Sequence, residues 1–374
     1  MQVWDAIVVG AGPAGCAAAY DLAAAGRSVL LLDKAEFPRP KACAGGLTMK
    51  AVRALRYSID PVVRKTVREM HLEHASAPGG VLPVSRSRPI CVMTVREELD
   101  AWCLEQTLRR GAVFRRIGPI AGLREEEDRV LLSVAGESEP LAARLLLGAD
   151  GVHSRVRALL GVSPWLRTGF ALEANVPYSA TGREFPLVFD FAPVHGGYGW
   201  LFPRNDHVNV GLYTADGGAT IDRAALTDYI AARCGAREHT RAVGQFLGLG
   251  AAAYQPSSRR VLLAGDAAGF VDPLTGEGIY GAIASGQAAA AAMLANLSQG
   301  ADVAAKYAQA LKRLQADLAV AEHAAGRFYA EPAKGFRLMQ MPLVRRAVLH
   351  TYSEGTSLSR LALGARAVSR LRRA

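Results

Sequence analysis

Gly10, Gly12 and Gly15 follow the apolar run Ile7-Val8-Val9 in the spacing Gly-x-Gly-x-x-Gly, a pattern suited to holding a pyrophosphate on backbone amides. Gly10 permits a tight turn, Gly12 lets a phosphate approach the main chain, and Gly15 lets the next helix pack closely on its strand. The phosphates then rest on unpaired N–H groups at a positive helix end. Asp33 stands eighteen residues after Gly15, behind a second apolar run, Ser28 to Leu32. A carboxylate there accepts a ribose hydroxyl and disfavours a 2′-phosphate, which argues against NADP. A glycine triplet alone can be only a turn. Strand, glycines, helix, strand and acid in this order make the dinucleotide reading the stronger one.

Two later corners carry the same chemistry. Ala264-Gly265-Asp266 ends the apolar run Arg260 to Gly265, and its acid can accept bonds from the sugar-alcohol chain of a flavin. Just beyond it, Pro273-Leu-Thr-Gly276-Glu277-Gly278-Ile279 opens a helix. That positive end suits the negative charge of a reduced flavin at N1 and O2. Asp150-Gly151 closes the strand-like run Leu141 to Leu147, with His153, Arg155 and Arg157 nearby; alone it would be a surface turn.

These residues must be positioned by strands and helices. Cys16 to Ala25, Thr94 to Arg110 and Asp222 to Cys234 read as helices, the second with Leu99, Trp102, Cys103 and Leu108 at helical spacing. The middle third holds short β-prone runs, Gly169 to Pro177, Leu187 to Ala192, Tyr198 to Pro203 and Val208 to Tyr213. Arg204-Asn205-Asp206 joins the last two as a hairpin turn. Tyr198, Trp200 and Phe202 alternate onto one strand face, which a sheet packed on a core would also show.

Composition narrows the class. A chain of 374 residues, 50% hydrophobic, can bury a large core and divide into lobes. Five cysteines without a CxxC pair, and no secretory signal, point to reduced thiols in the cytoplasm. Gly281 to Leu297 is Ala-rich but carries Ser285, Gln287 and Asn296, so it reads as a buried helix rather than a membrane span. No cluster has metal-ligand spacing. The formal charge is +10, of which Lys334 to Ala374 carries +8. Nucleic-acid binding lacks the accompanying motifs. A solvated tail and a peripheral contact with the inner membrane face, through Leu358, Leu361, Ala365 and Val368, remain as readings, although Gly364 and Arg372 interrupt that stripe.

Together the three corners resemble the glutathione-reductase-type FAD fold of single-component flavin hydroxylases and of the geranylgeranyl reductase family. The resemblance covers most of the chain. It implies an α/β protein with a Rossmann-like FAD-binding domain in discontinuous segments (1–69, 91–164, 256–300), an inserted antiparallel β-sheet substrate domain (70–90, 165–255) and a C-terminal helical region (301–374). Arg96 most closely matches the family's cofactor-supporting arginine, and Pro13, Ala14 and Lys34 flank the first corner. No second dinucleotide unit is expected, because Gly248-Leu-Gly250 lacks a preceding strand. A nicotinamide donor must then bind without its own Rossmann domain.

Two stretches favour reductases over hydroxylases. Lys41-Ala-Cys43-Ala44-Gly45-Gly46 is similar to the family's Lys-x-Cys-(Ala/Gly)-Gly segment, bordering flavin and substrate cavity. Tyr198-Gly-Trp200-Leu-Phe202-Pro203 is similar to the family's YxWxFP strand, although His195 replaces its first proline. The resemblance implies reduction of isolated prenyl C=C bonds in a lipid or diphosphate, with Cys43, Tyr198 or water as proton donor. NAD(P)H or ferredoxin would supply the electrons. Gly46, Trp200, Phe202 and Pro203 would line the cavity. An oxygen-using hydroxylase or epoxidase of an apolar or aromatic substrate is the alternative.

Overall fold

The computed structural model describes residues 2–75, 77–162, 165–216 and 221–361. Val3–Val9 forms a strand buried toward its end and runs parallel to both Val29–Asp33 and Leu141–Gly148. The unbroken apolar runs of these strands suit a sheet covered on both faces. Val113–Arg116 extends the sheet beside Val29–Asp33. Leu141–Gly148 divides its pairing: residues 141–143 meet the antiparallel strand Val130–Val134, while residues 146–148 meet the parallel strand Val261–Leu263. Three glycine corners thereby leave the carboxyl ends of adjacent parallel strands, where open α/β sheets bind ligands.

Helices Pro13–Ala24 and Ile279–Gln299 cover one face at close range. A Cβ on Gly286 would fall 2.2 Å from the Ala14 carbonyl oxygen, so only glycine allows that approach. The Ala-rich segment is therefore a buried helix, with Ala289, Ala290 and Met293 fully enclosed. Among the described residues no helix is long and apolar enough to cross a membrane.

The second sheet runs in the order Val243–Leu249, Arg167–Pro177, His207–Thr214, Gly197–Pro203, Leu187–Asp190, Glu69–Glu73, Val81–Ser85. Its pairings are antiparallel except that of Leu187–Asp190 with Glu69–Glu73. Arg204 N–H donates to the His207 carbonyl at 2.8 Å, closing the expected hairpin. One face packs on helix Arg223–Cys234 through Leu201, Leu226 and Ile230. The other carries Tyr198, Trp200, Phe202 and Tyr213 into an aromatic cluster. Gly46–Thr48, Cys91–Met93 and Lys65–Val67 form a small third sheet beside it.

One expectation is corrected. A strand, Val243–Leu249, does precede Gly250, but it belongs to the antiparallel sheet and leads only into the single turn Ala251–Ala253. What that stretch lacks is the helix, whose amide end would hold a pyrophosphate.

Candidate functional site

The three corners meet. Gly10 has φ +101°, and a Cβ there would lie 2.3 Å from the Ala149 carbonyl oxygen. Gly10 N–H donates to Leu32 at 2.6 Å, and Ala149 N–H donates to Val9 at 2.7 Å. A Cβ on Gly265 would stand 3.0 Å from the Ala14 side chain, which places the late corner against the first helix. Arg157 ties the other two together, donating to the Ala267 carbonyl at 2.9 Å and to Val152 at 2.6 Å.

The first corner fits a pyrophosphate. Pro13 opens the helix, and among the described residues the N–H groups of Gly12, Ala14 and Gly15 have no protein acceptor. A Cβ on Gly12 would meet only Arg39 Nη2, at 3.9 Å, so this side is open and overlooked by a cation. Asp33 accepts from Ala11 N–H at 2.8 Å and Ala35 N–H at 2.9 Å, bracing the turn while its two carboxylate oxygens retain lone pairs for a ribose. Lys34 is exposed at the surface.

The two later acids behave differently. Asp150 accepts from Ser154 Oγ at 2.5 Å and from the N–H groups of Arg155 and Val156 at 2.7 and 3.2 Å. It caps a helix, and burial raises its pKa against those bonds. Gly151, at φ +82°, turns the chain beside it. Asp266 is pushed up by burial, opposed by the Gly248 amide that donates to it at 3.2 Å and by the Lys41 charge. The loop beyond is held from several sides. Gly276 adopts φ +65°, and Glu277 pairs with Lys50 at 3.3 Å while accepting from Tyr280 N–H at 2.6 Å. Burial lowers the Lys50 pKa, but Glu277 and Asp272 outweigh it and raise the pKa. Gly278 and Ile279 present N–H groups with no acceptor among the described residues, at the start of a 21-residue helix. A cavity of about 250 Å³ adjoins this end, lined by Lys50, Glu277, Tyr280, Leu314 and Leu318 among others.

Three tyrosines hold the same loop by consecutive carbonyls. Tyr213 donates to Pro273 at 3.1 Å, Tyr329 donates to Leu274, and Tyr198 donates to Thr275 at 2.5 Å. Tyr198 sits 5.2 Å from the Phe189 ring and 5.3 Å from Tyr213, centroid to centroid. Burial drives its pKa upward. Its hydroxyl hydrogen is directed at the Thr275 carbonyl.

The Cys43–Gly46 segment packs against this aromatic face. Gly45 has φ +69°, and a Cβ would strike the Thr94 carbonyl oxygen at 2.2 Å; on Gly46 it would touch Phe202 at 3.1 Å. Buried Arg204 donates to the carbonyls of Ala44, at 2.7 Å, and Thr94. Cys43 N–H donates to Glu173 Oε1 at 2.8 Å, and its Sγ accepts from Gly45 N–H at 3.3 Å. Trp200 Nε1 donates to Asn209 at 2.7 Å, which in turn donates to Asn175 at 2.9 Å; Pro203 is buried at the strand end. Asp100 accepts both Arg96 bonds at 2.8 Å and lies 3.2 Å from Arg39. Burial opposes the Arg96 charge, yet Asp100 and the Cys43 sulfur hold it protonated. Lys41 reaches Gln245 at 2.6 Å, its pKa lowered by partial burial and by Arg96.

Arg39, Lys50, Glu173 and Arg204 are site residues that the sequence reading did not single out. Only the Pro38-Arg39-Pro40 context of the first carried a local signal.

Burial pushes Glu173 from 4.5 to about 7, against the Cys43 amide and the Arg204 and Arg96 charges. The folded state therefore holds a proton that the unfolded chain has lost across this window. The resulting destabilisation is absent below 4.5, grows as pH rises and is complete above about 7. Glu173→Gln should remove it, gaining up to about 3 kcal/mol relative to the parent at high pH and nothing in acid. Thermal denaturation of both proteins across pH checks this. Parallel pH profiles would refute it.

The comparisons agree with this geometry. Residues 3–317 match the FAD-binding-domain family. The chain is 32% identical over 320 residues to the menaquinone reductase of Mycolicibacterium smegmatis, covering 77% of this chain and 76% of that one. It is 29% identical over 316 residues to the geranylgeranyl diphosphate reductase of Rhodobacter capsulatus, covering 82% and 79%. A geranylgeranyl bacteriochlorophyll reductase-like structure from Thermoplasma acidophilum matches with TM-score 0.80, 19% identity and coverage of 97% and 99%. The flavin-dependent brominase Bmp2 matches at 0.78, with 17% identity and full coverage of both chains. At these identities the two structures speak for the fold alone.

Fold and corners define an FAD-dependent oxidoreductase. The chain belongs to the geranylgeranyl reductase family within the FAD-binding-domain proteins.

Proposed function

We propose that the protein saturates isolated C=C bonds of a prenyl chain, carried by a lipid or a diphosphate. The observation that carries this reading is the close approach of Gly46 to Phe202, where an added Cβ would meet the ring at 3.1 Å, beside a loop held by Tyr198, Tyr213 and Tyr329. An apolar aromatic surface against the cofactor segment suits a greasy substrate and excludes water. The relatives named for prenyl-diphosphate and menaquinone reduction support the same substrate class.

Bound FAD supplies a hydride at N5, replenished by NAD(P)H or ferredoxin. The amides of Gly12, Ala14 and Gly15 would hold its pyrophosphate, Asp33 its ribose and Asp266 its sugar-alcohol chain. Gly278 and Ile279 would present their amides to the anionic end of the ring, and Arg96, Lys41 and the Ala44-Gly45 backbone would border it. An isolated alkene has no carbonyl to take up charge, so a proton must reach the less substituted carbon as hydride reaches the other. Tyr198 is committed to Thr275 and positions the loop. Cys43 is the better donor, with the Glu173 carboxyl bonded to its amide.

Turnover under nitrogen in D2O tests the reading. Each saturated bond should gain two deuterium atoms, one as hydride from N5 and one as a proton, because the N5 and thiol hydrogens both exchange with solvent. Unchanged prenyl chains, with oxygenated product only after air is admitted, would favour the oxygen-using alternative for which the brominase-like fold leaves room.

A further inference from the structure

Helices Pro332–Gln340 and Pro342–Leu349 meet at a corner whose outer surface is apolar and basic. Leu343 is 82% exposed, Met341 53% and Leu338 51%, which with Val81 at 55% are the most exposed large apolar side chains among the described residues. Met341, Pro342 and Leu343 stand in succession at the tip, all exposed. Soluble surfaces seldom cluster such side chains without a partner. Around them lie Lys334, Arg337, Arg345 and Arg346. Lys334 pairs with Glu331 at 3.3 Å, whereas Arg337, Arg345 and Arg346 have no carboxylate partner among the described residues.

Behind the tip is a cavity of about 310 Å³ lined by Val84, Arg86, Arg345, Arg346, Leu349 and His350. Arg86 Nη2 reaches Glu354 at 3.2 Å, but its Nη1 is buried with no partner among the described residues. The inner sides of the two helices give Phe336, Met339 and Leu349 to the aromatic cluster that contains Tyr198 and Trp200. One pair of helices thus faces outward with grease and cations and inward toward the candidate site.

We propose that this corner docks the protein on an anionic bilayer, Met341 and Leu343 entering the acyl region while Arg337, Arg345 and Arg346 meet lipid phosphates. Uncompensated cations around exposed apolar residues are complementary to anionic lipid. A second copy fits poorly, since a two-fold contact would set the same arginines against one another. The inference goes beyond the proposed reaction and does not depend on it, because docking needs no turnover. It also differs from the tail stripe expected from sequence. Of that stripe only Leu358 and Leu361 are described, Leu361 being 40% exposed; Ala365 and Val368 lie outside the described residues.

The test is cosedimentation of the 374-residue, FAD-loaded protein with vesicles of phosphatidylcholine alone or with added phosphatidylglycerol. Binding should need the anionic lipid and weaken with salt. Met341→Ser with Leu343→Ser should weaken it about tenfold, and Arg345→Ala with Arg346→Ala about twentyfold at low salt. All four positions are at least partly exposed, and retained flavin absorbance checks folding. Leu343→Trp should shift its fluorescence to shorter wavelength on anionic vesicles. Undiminished binding by the corner variants, with loss only on deleting residues 362–374, would overturn the proposal. So would a dimer that the serine variants dissociate while vesicles bind neither form.

Discussion

Gly15→Ala is expected to give a polypeptide that neither retains FAD nor folds with the parent's stability. The added Cβ would sit 1.8 Å from the Gly10 carbonyl oxygen and 3.3 Å from Val8 Cγ1. The first neighbour is backbone, itself pinned by the bond from Gly10 N–H to Leu32. Relief must move helix from strand, and the pyrophosphate amides with it. Overpacking of this severity costs on the order of 3 kcal/mol or more. Gly26→Ala is the control. Gly26 has φ +74° but nothing within 4 Å of its Cβ position, so the change should cost about 1 kcal/mol and leave the cofactor in place. Flavin absorbance per polypeptide and thermal denaturation distinguish the two. A yellow Gly15→Ala protein with unchanged melting would refute the account of the first corner.

Arg204→Met should keep FAD but slow turnover by about a hundredfold. Arg204 is 4% exposed and bridges the carbonyls of Ala44 and Thr94 across the sheet interface. Without its fork, the buried Thr94 carbonyl and the partly buried Ala44 carbonyl lose charged donors and the Cys43–Gly46 segment loses its anchor. Arg204→Lys should rescue little, because one ammonium cannot reproduce the planar fork. Single-turnover oxidation of the reduced enzyme by a prenyl substrate reads this effect apart from flavin content. A methionine variant with parental turnover would show that the segment positions itself.

The corners were legible because local geometry demands their residues. A turn at φ +101° requires glycine at position 10, and the close approach of helix to strand requires it at 15. The strands that lead into the first two corners were equally plain, since their burial follows the apolar pattern. Arg204 and Glu173 were not. Glu173 lies in Leu172-Glu173-Ala174-Asn175-Val176, an alternation that reads as a strand with one face in water. That polar face instead covers the Cys43 segment, 130 residues away. Arg204 stood in a hairpin turn, where a cation is ordinary, and its partner Ala44 is 160 residues distant. Asp150 was read as a cofactor acid, and much of its bonding goes to the helix it caps. Likewise, the strand before Gly250 escaped notice because Val243-Gly-Gln-Phe-Leu-Gly-Leu249 alternates weakly and owes its form to pairing with Arg167–Pro177.

The most direct trial of the central claim is anaerobic mixing of photoreduced, FAD-loaded enzyme with a geranylgeranyl lipid while the flavin spectrum is followed. Oxidised flavin should return without oxygen, in proportion to the double bonds consumed. A flavin that stays reduced beside the lipid and reoxidises only when oxygen enters would contradict the assignment of alkene reduction.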